Sequence, residues 1–313
     1  MAFTTGTTGL TRRVVNNNVW LAQSDGASTV DRLDGLSAFE IKPEVLDTEE
    51  AVGRAMLEEL EAAAVKENGD VVMVILGGRG AQALHRMLGE RARAGDPGNL
   101  IQRLRVFTQD ALAPMRMDNG FSFVRDFERL LGPDFFRMVR SFTSMRTDAP
   151  DLEAELASYV NALAGAGGIG ICFLGHGPEP AEASHLAYIR PGAGATIADV
   201  AGIIPISPNV LEHHITKFKA GGIVPSPEDE AECRAAKSIL TIGPAVILAA
   251  KRIVQSIVDA DTAPAKKLTY RRVMDTDIAA SAEARARQLD ENPGLWIRLH
   301  PSVRSLVLPN VLG

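Results

Sequence analysis

The chain alternates between short runs of consecutive apolar residues and longer stretches in which apolar residues recur every three or four positions. Two of the short runs, residues 71–76 and 170–174, are apolar at almost every position. Such runs are typical of strands that are buried on both faces of a parallel sheet. Residues 104–107 and 239–243 are further strand candidates of the same kind.

Helical spacing of apolar residues fills the intervals between these runs. It predicts helices near residues 51–67, 83–88, 121–131 and 151–164. After the run at 239–243 it predicts one continuous helix through Val246, Ile247, Ala250, Ile253 and Val254. Because helices alternate with short apolar strands, we expect an α/β fold, a mostly parallel sheet with helices on both faces.

The pattern also divides the chain. Residues 1–38 are rich in Thr, Asn, Ser and Gly and show neither a strand nor a helix period. Arg12 and Arg13 precede the first acidic residue, a weak likeness to an organellar transit peptide. We interpret residues 1–38 as a structured or semi-ordered N-terminal arm in preference to a targeting signal. Residues 39–313 contain no repeat and no low-complexity linker, and we expect them to form a single α/β domain.

Composition narrows the class of protein. The chain of 313 residues has 33 Lys and Arg against 39 Asp and Glu, a formal net charge of −6. This balance argues against a nucleic-acid partner or an anionic membrane surface, because no basic excess exists to neutralise phosphates. The chain has two cysteines, which are too few for a disulfide scaffold or for a metal site built from cysteines. The sequence has no apolar run long enough to span a bilayer, and we expect a cytoplasmic protein of the size of an enzyme.

Glycine turns mark where ligand chemistry is expected. In open α/β sheets, ligands bind beyond the carboxyl ends of the strands, where glycine turns allow backbone N–H groups to approach an anion. The first turn is formed by Gly77, Gly78, Arg79 and Gly80, directly after the run at 71–76. It has neither the spacing of a Walker loop nor that of a dinucleotide fingerprint. A purely structural turn before a helix explains it equally well.

Two more segments follow predicted strands. Gly175 and Gly177 flank a turn that leads to His185, and a histidine there can act as an acid or a base near neutral pH. Asp110 comes directly after a predicted strand, where a carboxylate is placed for proton abstraction. The structural alternatives are a partly buried histidine and a helix N-cap.

Other polar residues give weaker signals. His213 and His214 are adjacent, so their side chains point apart and do not make a paired metal site. Several cations could meet an anionic substrate, although a solvated basic face is the commoner explanation: Lys217, Lys219, Lys266, Lys267, Arg271 and Arg272.

The order of these segments resembles the superfamily of glucosamine-6-phosphate deaminase and 6-phosphogluconolactonase. The matching span is roughly 40–309. Residues 77–80 resemble the sugar-phosphate loop of that superfamily. Residues 106–110 resemble the segment whose Asp removes the proton at C2 of the sugar. Residues 185–191 resemble the segment that contains the ring-opening His. Residues 240–243 and 299–301 are similar to the deaminase branch. The resemblance implies a modified doubly wound, Rossmann-like fold.

The chain departs from this pattern at several functional positions. Arg79 stands where the superfamily normally has Ser or Thr, and Ala111 replaces a Glu. Ala183 replaces the Asp that precedes the ring-opening His, with Glu182 as the nearest substitute, and Arg190 replaces a further Glu. The phosphate-binding Lys has Lys266 and Lys267 as candidates. Losing one acid–base partner lowers the rate on the order of 10²–10⁴-fold, so these replacements are expected to slow deamination.

The resemblance therefore implies a divergent sugar-phosphate enzyme that opens the ring and removes the C2 proton of a phosphorylated sugar or amino sugar. It implies catalytic roles for Asp110, His185 and Glu182. Phosphate binding is expected from Gly77, Gly78, Arg79, Gly80, Gly175, Gly177, Arg190, Lys266 and Lys267. The alternatives are a lactone hydrolase like 6-phosphogluconolactonase and a non-catalytic sugar-phosphate-binding protein. No metal or organic cofactor is required, and although relatives often form homo-oligomers, sequence leaves the oligomeric state open.

Overall fold

The computed structural model describes residues 9–23 and 29–313, and it describes the side chains of residues 9–23 and 32–313. The parts of the predicted N-terminal arm at 1–8 and 24–28 lie outside the described residues. In chain order the strands are β1 (Leu10–Val15), β2 (Asn18–Gln23), β3 (Pro43–Val45), β4 (Val71–Ile75), β5 (Leu104–Thr108), β6 (Asp110–Ala113), β7 (Ser141–Thr143), β8 (Ile171–Leu174), β9 (His176–Pro178), β10 (Ser184–Leu186), β11 (Asp199–Pro205), β12 (Ser238–Ile242), β13 (Ile253–Ile257) and β14 (Val303–Val307). The helices are α1 (Thr29–Asp34), α2 (Glu49–Lys66), α3 (Gln82–Arg93), α4 (Phe123–Met138), α5 (Leu152–Gly165), α6 (Pro208–Ala220), α7 (Pro227–Arg234), α8 (Pro244–Ala249), α9 (Ala265–Asp275) and α10 (Ala282–Glu291).

A parallel sheet of seven strands forms the centre of the part of the chain that the structure describes. Its order is β3-β14-β13-β8-β4-β5-β7, every neighbouring pair is parallel, and helices flank it. This confirms the predicted fold class. Strands β4 and β8 are buried at every residue, as their continuous apolar sequences require in a sheet covered on both faces.

The strand order changes direction between β4 and β8. From β4 the chain proceeds through α3 to β5 and then β7 on one side, whereas β8 adds on the other side. A crevice opens at such a switch point beyond the carboxyl ends of the strands. The glycine turns after β4 and β8 therefore come together there.

Residues 239–243 form a strand, but the expectation that it joins the parallel sheet is wrong. Strand β12 pairs antiparallel with β11 on one side and β6 on the other, in a second sheet of order β1-β2-β11-β12-β6 within the described residues. A short apolar run is compatible with either kind of buried strand, so the sequence pattern could not distinguish them.

The continuous helix predicted through Val254 is also wrong. Helix α8 ends at Ala249, and Ile253 begins β13, a central strand of the parallel sheet. The apolar spacing fits a helix up to Ala250. The β-branched residues that follow, Ile253 and Val254, favour a strand, and β13 lies between the parallel strands β8 and β14.

Residues 10–23 are part of the second sheet. They form the hairpin β1–β2, and β2 pairs antiparallel with β11. Trp20 is fully buried, donates a hydrogen bond from Nε1 to Ala193 O over 3.2 Å, and packs where a Cβ on Gly202 would overlap its ring. The buried side chains of the hairpin belong to the same hydrophobic core as β4, β8 and β13.

The helices that flank the parallel sheet approach each other closely. Gly53 of α2 lies against Ala83 of α3, and Gly89 of α3 lies against the backbone of α4, with no room for a Cβ at either glycine. Across residues 9–23 and 29–313, no helix combines the length and the apolar character that a bilayer crossing requires.

Candidate active site

A pocket lies at the switch point of the parallel sheet. Its walls come from the turns after β4 and β8, from the start of β6, from β10, and from helices α6 and α9. Six of the residues expected to form the site line it together with Asp110 and His185: Gly77, Arg79, Gly80, Gly175, Gly177 and Lys266. The structure thus collects in one place residues that are nearly two hundred positions apart in the sequence.

Asp110 is the first residue of β6, is buried and lines this pocket. Burial raises the pKa of Asp110 to about 6, against the opposing effects of the Lys217 charge and a hydrogen bond from Gln109. Gln109 Nε2 donates that bond to Asp110 Oδ2 over 2.8 Å. Asp110 is therefore a stronger base than an ordinary carboxylate and is still mostly ionised near neutral pH.

His185 lies on β10 and forms a buried pair with Glu179. His185 Nδ1 and Glu179 Oε1 are 2.9 Å apart, and both side chains are almost inaccessible to solvent. Because the Glu179 carboxylate accepts this hydrogen bond, Nδ1 carries the proton and Nε2 is the free basic nitrogen. Burial lowers the pKa of His185, with the charges of Lys217 and Lys266 acting in the same direction and Glu179 opposing them. A neutral, oriented imidazole results.

Glu182 is not the carboxylate that orients His185. It is exposed, in the short turn of 3₁₀ helix between β9 and β10, and has a left-handed backbone with φ of 60°. Glu179 lies three residues earlier, just after β9, and its backbone N–H and the carbonyl of Ala183 close the hairpin over 2.8 Å. The hairpin therefore places Glu179 beside His185 and turns Glu182 away.

Gly177 makes this pairing possible. It faces His185 across the antiparallel ladder of β9 and β10, and a Cβ at Gly177 would overlap the imidazole ring. The absence of a side chain lets the ring lie over β9 and face the pocket. In the turn after β4, Gly78 has φ of 78°, a left-handed conformation that favours glycine.

The predicted phosphate-binding cations Arg79 and Lys266 line the pocket but are already paired. Arg79 Nη2 lies 2.6 Å from Glu49 Oε1, and its Nη1 lies 2.9 Å from Asp261 Oδ1. Lys266 Nζ donates to both oxygens of Asp259, over 2.7 and 2.8 Å. These carboxylates neutralise much of the positive charge that the two cations would offer to a phosphate.

Arg190 and Lys267 do not line the pocket. Arg190 donates to the carbonyl oxygens of Pro205 and Pro191, over 3.0 and 2.9 Å, and so ties together two backbone segments. Lys267 is half-buried, and its Nζ donates to Gly313 O over 3.0 Å. Gly78 is not part of the pocket wall itself but touches a residue that is, Lys217.

Lys217 is a cation of the pocket that the sequence pattern did not distinguish from a solvated basic face. Its Nζ lies 4.8 Å from the centre of the Phe123 ring and 4.7 Å from that of Tyr188. Among the hydrogen bonds and ion pairs of the described residues, none involves its ammonium group. Burial lowers the pKa of Lys217 to about 8, and the charge of Lys266 acts in the same direction.

Two histidines of α6 complete this side of the site. His213 lines the pocket, with its ring centre 5.7 Å from that of His185. His214 points the other way, as expected for its neighbour on a helix: its Nε2 donates to Phe121 O and its Nδ1 accepts from the Tyr188 hydroxyl, each over 2.8 Å. The spacing of His213 and Lys217, one helical turn apart, was the available signal.

Comparisons with solved structures place the fold beside known enzymes. A monomeric glucosamine-6-phosphate deaminase matches with a TM-score of 0.63 and 20% identity, over 87% of this chain and 98% of that one. The 6-phosphogluconolactonase of Leishmania guyanensis has a TM-score of 0.59 and 17% identity, over 87% and 98% of the two chains. A 6-phosphogluconolactonase from Shewanella baltica OS155 has a TM-score of 0.60 and 14% identity, over 88% of this chain and 99% of that one.

These matches confirm the expected likeness in fold over most of the chain. The chain has the fold shared by glucosamine-6-phosphate deaminases and 6-phosphogluconolactonases. No family model and no curated protein matches the sequence.

Proposed function

We propose that the protein is a sugar-phosphate enzyme that opens the ring of a phosphorylated sugar or amino sugar and moves the proton at C2. The observation that carries this proposal is the convergence of two bases on one pocket with cationic walls. One base is Asp110, and the other is the Nε2 nitrogen of His185.

His185 performs the first step. Its neutral Nε2 removes the proton from the anomeric hydroxyl, and the imidazolium, stabilised by Glu179, returns a proton to the ring oxygen as the C1–O5 bond breaks. The open-chain aldehyde that results has an acidic hydrogen at C2. Asp110 takes this proton, and nearby cations stabilise the negative charge that develops on O1.

We assign the phosphate to the turn after β4 and to the cations beside it. The backbone of residues 77–80 supplies N–H donors, and Lys266 and Arg79 supply charge once the phosphate competes with their carboxylate partners. The fold likeness to a glucosamine-6-phosphate deaminase supports this class of substrate.

Proton NMR in D2O tests the proposal directly. With glucosamine 6-phosphate and glucose 6-phosphate as first probes, we expect the C2 proton to exchange with solvent, and ammonia to form if the amino sugar is deaminated. Asp110→Asn should reduce the exchange rate by on the order of 10²–10⁴. Absence of exchange at high enzyme concentration, across a panel of aldose phosphates that stabilise the protein against heat, would contradict the proposal.

A lactone hydrolase is the second candidate. The neutral imidazole held by Glu179 favours it, because such a base can activate water without help from Asp110. This alternative predicts that 6-phosphogluconolactone is hydrolysed faster than its spontaneous rate and that Asp110→Asn leaves the rate nearly unchanged. The same variant therefore separates the two reactions. Stabilisation by phosphosugars without either reaction would instead favour a binding protein.

A further inference from the structure

Lys217 has surroundings that ion-pairing lysines do not have. Lys266 and Arg79 contact carboxylates over 2.7 and 2.9 Å, whereas the Lys217 ammonium lies over two neighbouring aromatic rings, Phe123 and Tyr188, whose centres are 6.1 Å apart. It is also close to the Gly78 backbone, where a Cβ would lie 3.3 Å from Nζ. Among the described residues, the charged groups that act on it are Asp110, Lys266, Asp259 and Asp126.

Loss of solvent has the largest effect on Lys217 and favours the neutral amine. Lys266 acts in the same direction, whereas Asp110, Asp259 and Asp126 favour the ammonium. The aromatic faces also stabilise an ammonium, but only modestly. A desolvated lysine next to another cation is an activated nucleophile toward carbonyl groups.

Helix α6 places this amine where a carbonyl would form. Lys217 lines the same pocket as Asp110, and His213, one turn earlier on the same face, lies beside His185. Ring opening by His185 releases an aldehyde at C1 next to the C2 hydrogen that Asp110 removes.

We propose that Lys217 forms a covalent imine with C1 of the open-chain sugar phosphate, an inference that rests on the proposed ring opening. Lys217 Nζ, as the free amine, adds to C1, and the carbonyl oxygen takes a proton to give a carbinolamine. The C–O bond then breaks, the oxygen leaves as water after taking a second proton, and the nitrogen retains one hydrogen in the protonated imine. The net reaction consumes one amine, one aldehyde and one proton and produces one iminium ion and one water.

The iminium ion is a better electron acceptor than the aldehyde. Asp110 removes the C2 proton, the electron pair forms a C1–C2 double bond, and the iminium becomes a neutral enamine. Return of a proton to C2 and hydrolysis by water restore the aldehyde and the free amine. Substrates of this step are phosphorylated aldoses with a hydrogen at C2, and the products include the C2 epimer.

Reductive trapping tests the imine independently of turnover. The full-length protein is incubated at pH 7 with glucose 6-phosphate or ribose 5-phosphate and sodium cyanoborohydride, and the modified lysine is located by peptide mass spectrometry. A pKa of about 8 gives Lys217 a neutral fraction on the order of 100-fold greater than that of an ordinary lysine. We expect Lys217 to be labelled faster than exposed Lys219 by about that factor, with saturation as sugar phosphate is raised.

Two conservative variants complete the experiment. Lys217→Arg keeps the positive charge but cannot form the imine, so we expect loss of the trapped adduct and of C2 exchange, with a thermal midpoint close to that of the wild type. Lys219→Arg, on the same helix and paired with Glu230, should retain both. Labelling of Lys217 no faster than Lys219, or full C2 exchange in Lys217→Arg, would overturn the imine.

The outcomes also separate this inference from the proposed function. If C2 exchange occurs without an adduct on Lys217, the imine is wrong and the proposed function stands. If the adduct forms at Lys217 but C2 does not exchange, the lysine is a carbonyl-binding nucleophile and the proposed proton transfer at C2 is wrong.

Discussion

Asp110 and Lys217 define the chemistry of the pocket at the scale of single residues. Asp110 is buried and Lys217 is half-buried, and loss of solvent raises the pKa of Asp110 to about 6 and lowers that of Lys217 to about 8. Both shifts favour the uncharged form of the residue and bring its pKa nearer to neutral pH, where acid–base groups are most effective. Their opposite charges limit each other's shift.

The raised pKa of Asp110 predicts a pH dependence. The base must be ionised to take the C2 proton, so kcat/KM should fall roughly tenfold for each pH unit below about 6. An NMR exchange assay from about pH 4.5 to about pH 7.5 measures this acidic limb. A profile without an inflection between about pH 5 and about pH 7 would argue against Asp110 as the base.

The sign of the linked stability effect is opposite to that of activity. The folded-state pKa of Asp110 lies above its ordinary value of 3.8, so the native state binds the proton more tightly than the unfolded state does. Its contribution to stability is complete below about pH 4 and is lost as pH rises through about 6. Urea denaturation of Asp110→Asn should therefore show a gain over the wild type at pH 7 that disappears in acid.

At the scale of elements, the β9–β10 hairpin decides which carboxylate assists His185. The sequence places Glu182 nearer to His185, but the hairpin pairs His185 with Gly177 and brings Glu179 within 2.9 Å of Nδ1. Separation along the chain is a poor guide here because the turn reverses the direction of the backbone between the two glutamates.

This arrangement predicts that the two glutamates differ in their effect on activity. Glu179→Gln removes the charge that stabilises the imidazolium, and we expect the rate to fall on the order of 10²-fold. Glu182→Gln, a matched change at an exposed position, should leave the rate close to that of the wild type. Steady-state kinetics on the substrate found by NMR measures both, and equal losses would contradict the assignment of Glu179.

Helix α6 shows how an element can carry a site that single positions conceal. His213 and Lys217 share one face and line the pocket, while His214 anchors the helix through Tyr188 and Phe121. In the sequence, the adjacent residues His213 and His214 do not have the spacing of a metal site, and Lys217 fits a solvated basic face. Only the packing of α6 over the pocket separates these three roles.

At the scale of the whole molecule, the N-terminal hairpin and the second sheet form one hydrophobic core with the parallel sheet. Strand β2 pairs with β11, and the Trp20 side chain fills the space above Gly202. The division into an arm, 1–38, and a single domain, 39–313, stays a prediction, but this packing predicts that residues 10–23 contribute to global stability.

Trp20→Ala tests that contribution. Removing a fully buried tryptophan leaves a cavity, and we expect a loss of about 3–5 kcal/mol in the free energy of unfolding. Val14→Ala, on the exposed side of the same hairpin, should change it by less than about 0.5 kcal/mol. Chemical denaturation followed by circular dichroism measures both; a small effect of Trp20→Ala would show that the hairpin is a dispensable arm.

The sequence by itself determined the alternation of strands and helices and the strands at 71–76 and 170–174. It also placed Asp110 just beyond the strand near residues 104–107, whereas His185, expected past a strand end, lies within β10. These depend on local periodicity and on glycine turns, which act over a few residues. Because short apolar runs have no period of their own, it could not assign β12 to the antiparallel sheet or separate α8 from β13.

Only the tertiary structure decided which charged groups are available in the pocket. Arg79 is paired by carboxylates that lie 30 and 182 residues away, and Arg190 by backbone carbonyl groups. Lys217 acquires its environment from the turn after β4, from α4 and from the loop after β10. The physical reason is that charge pairing and desolvation depend on distances in space, which the order of residues along the chain does not fix.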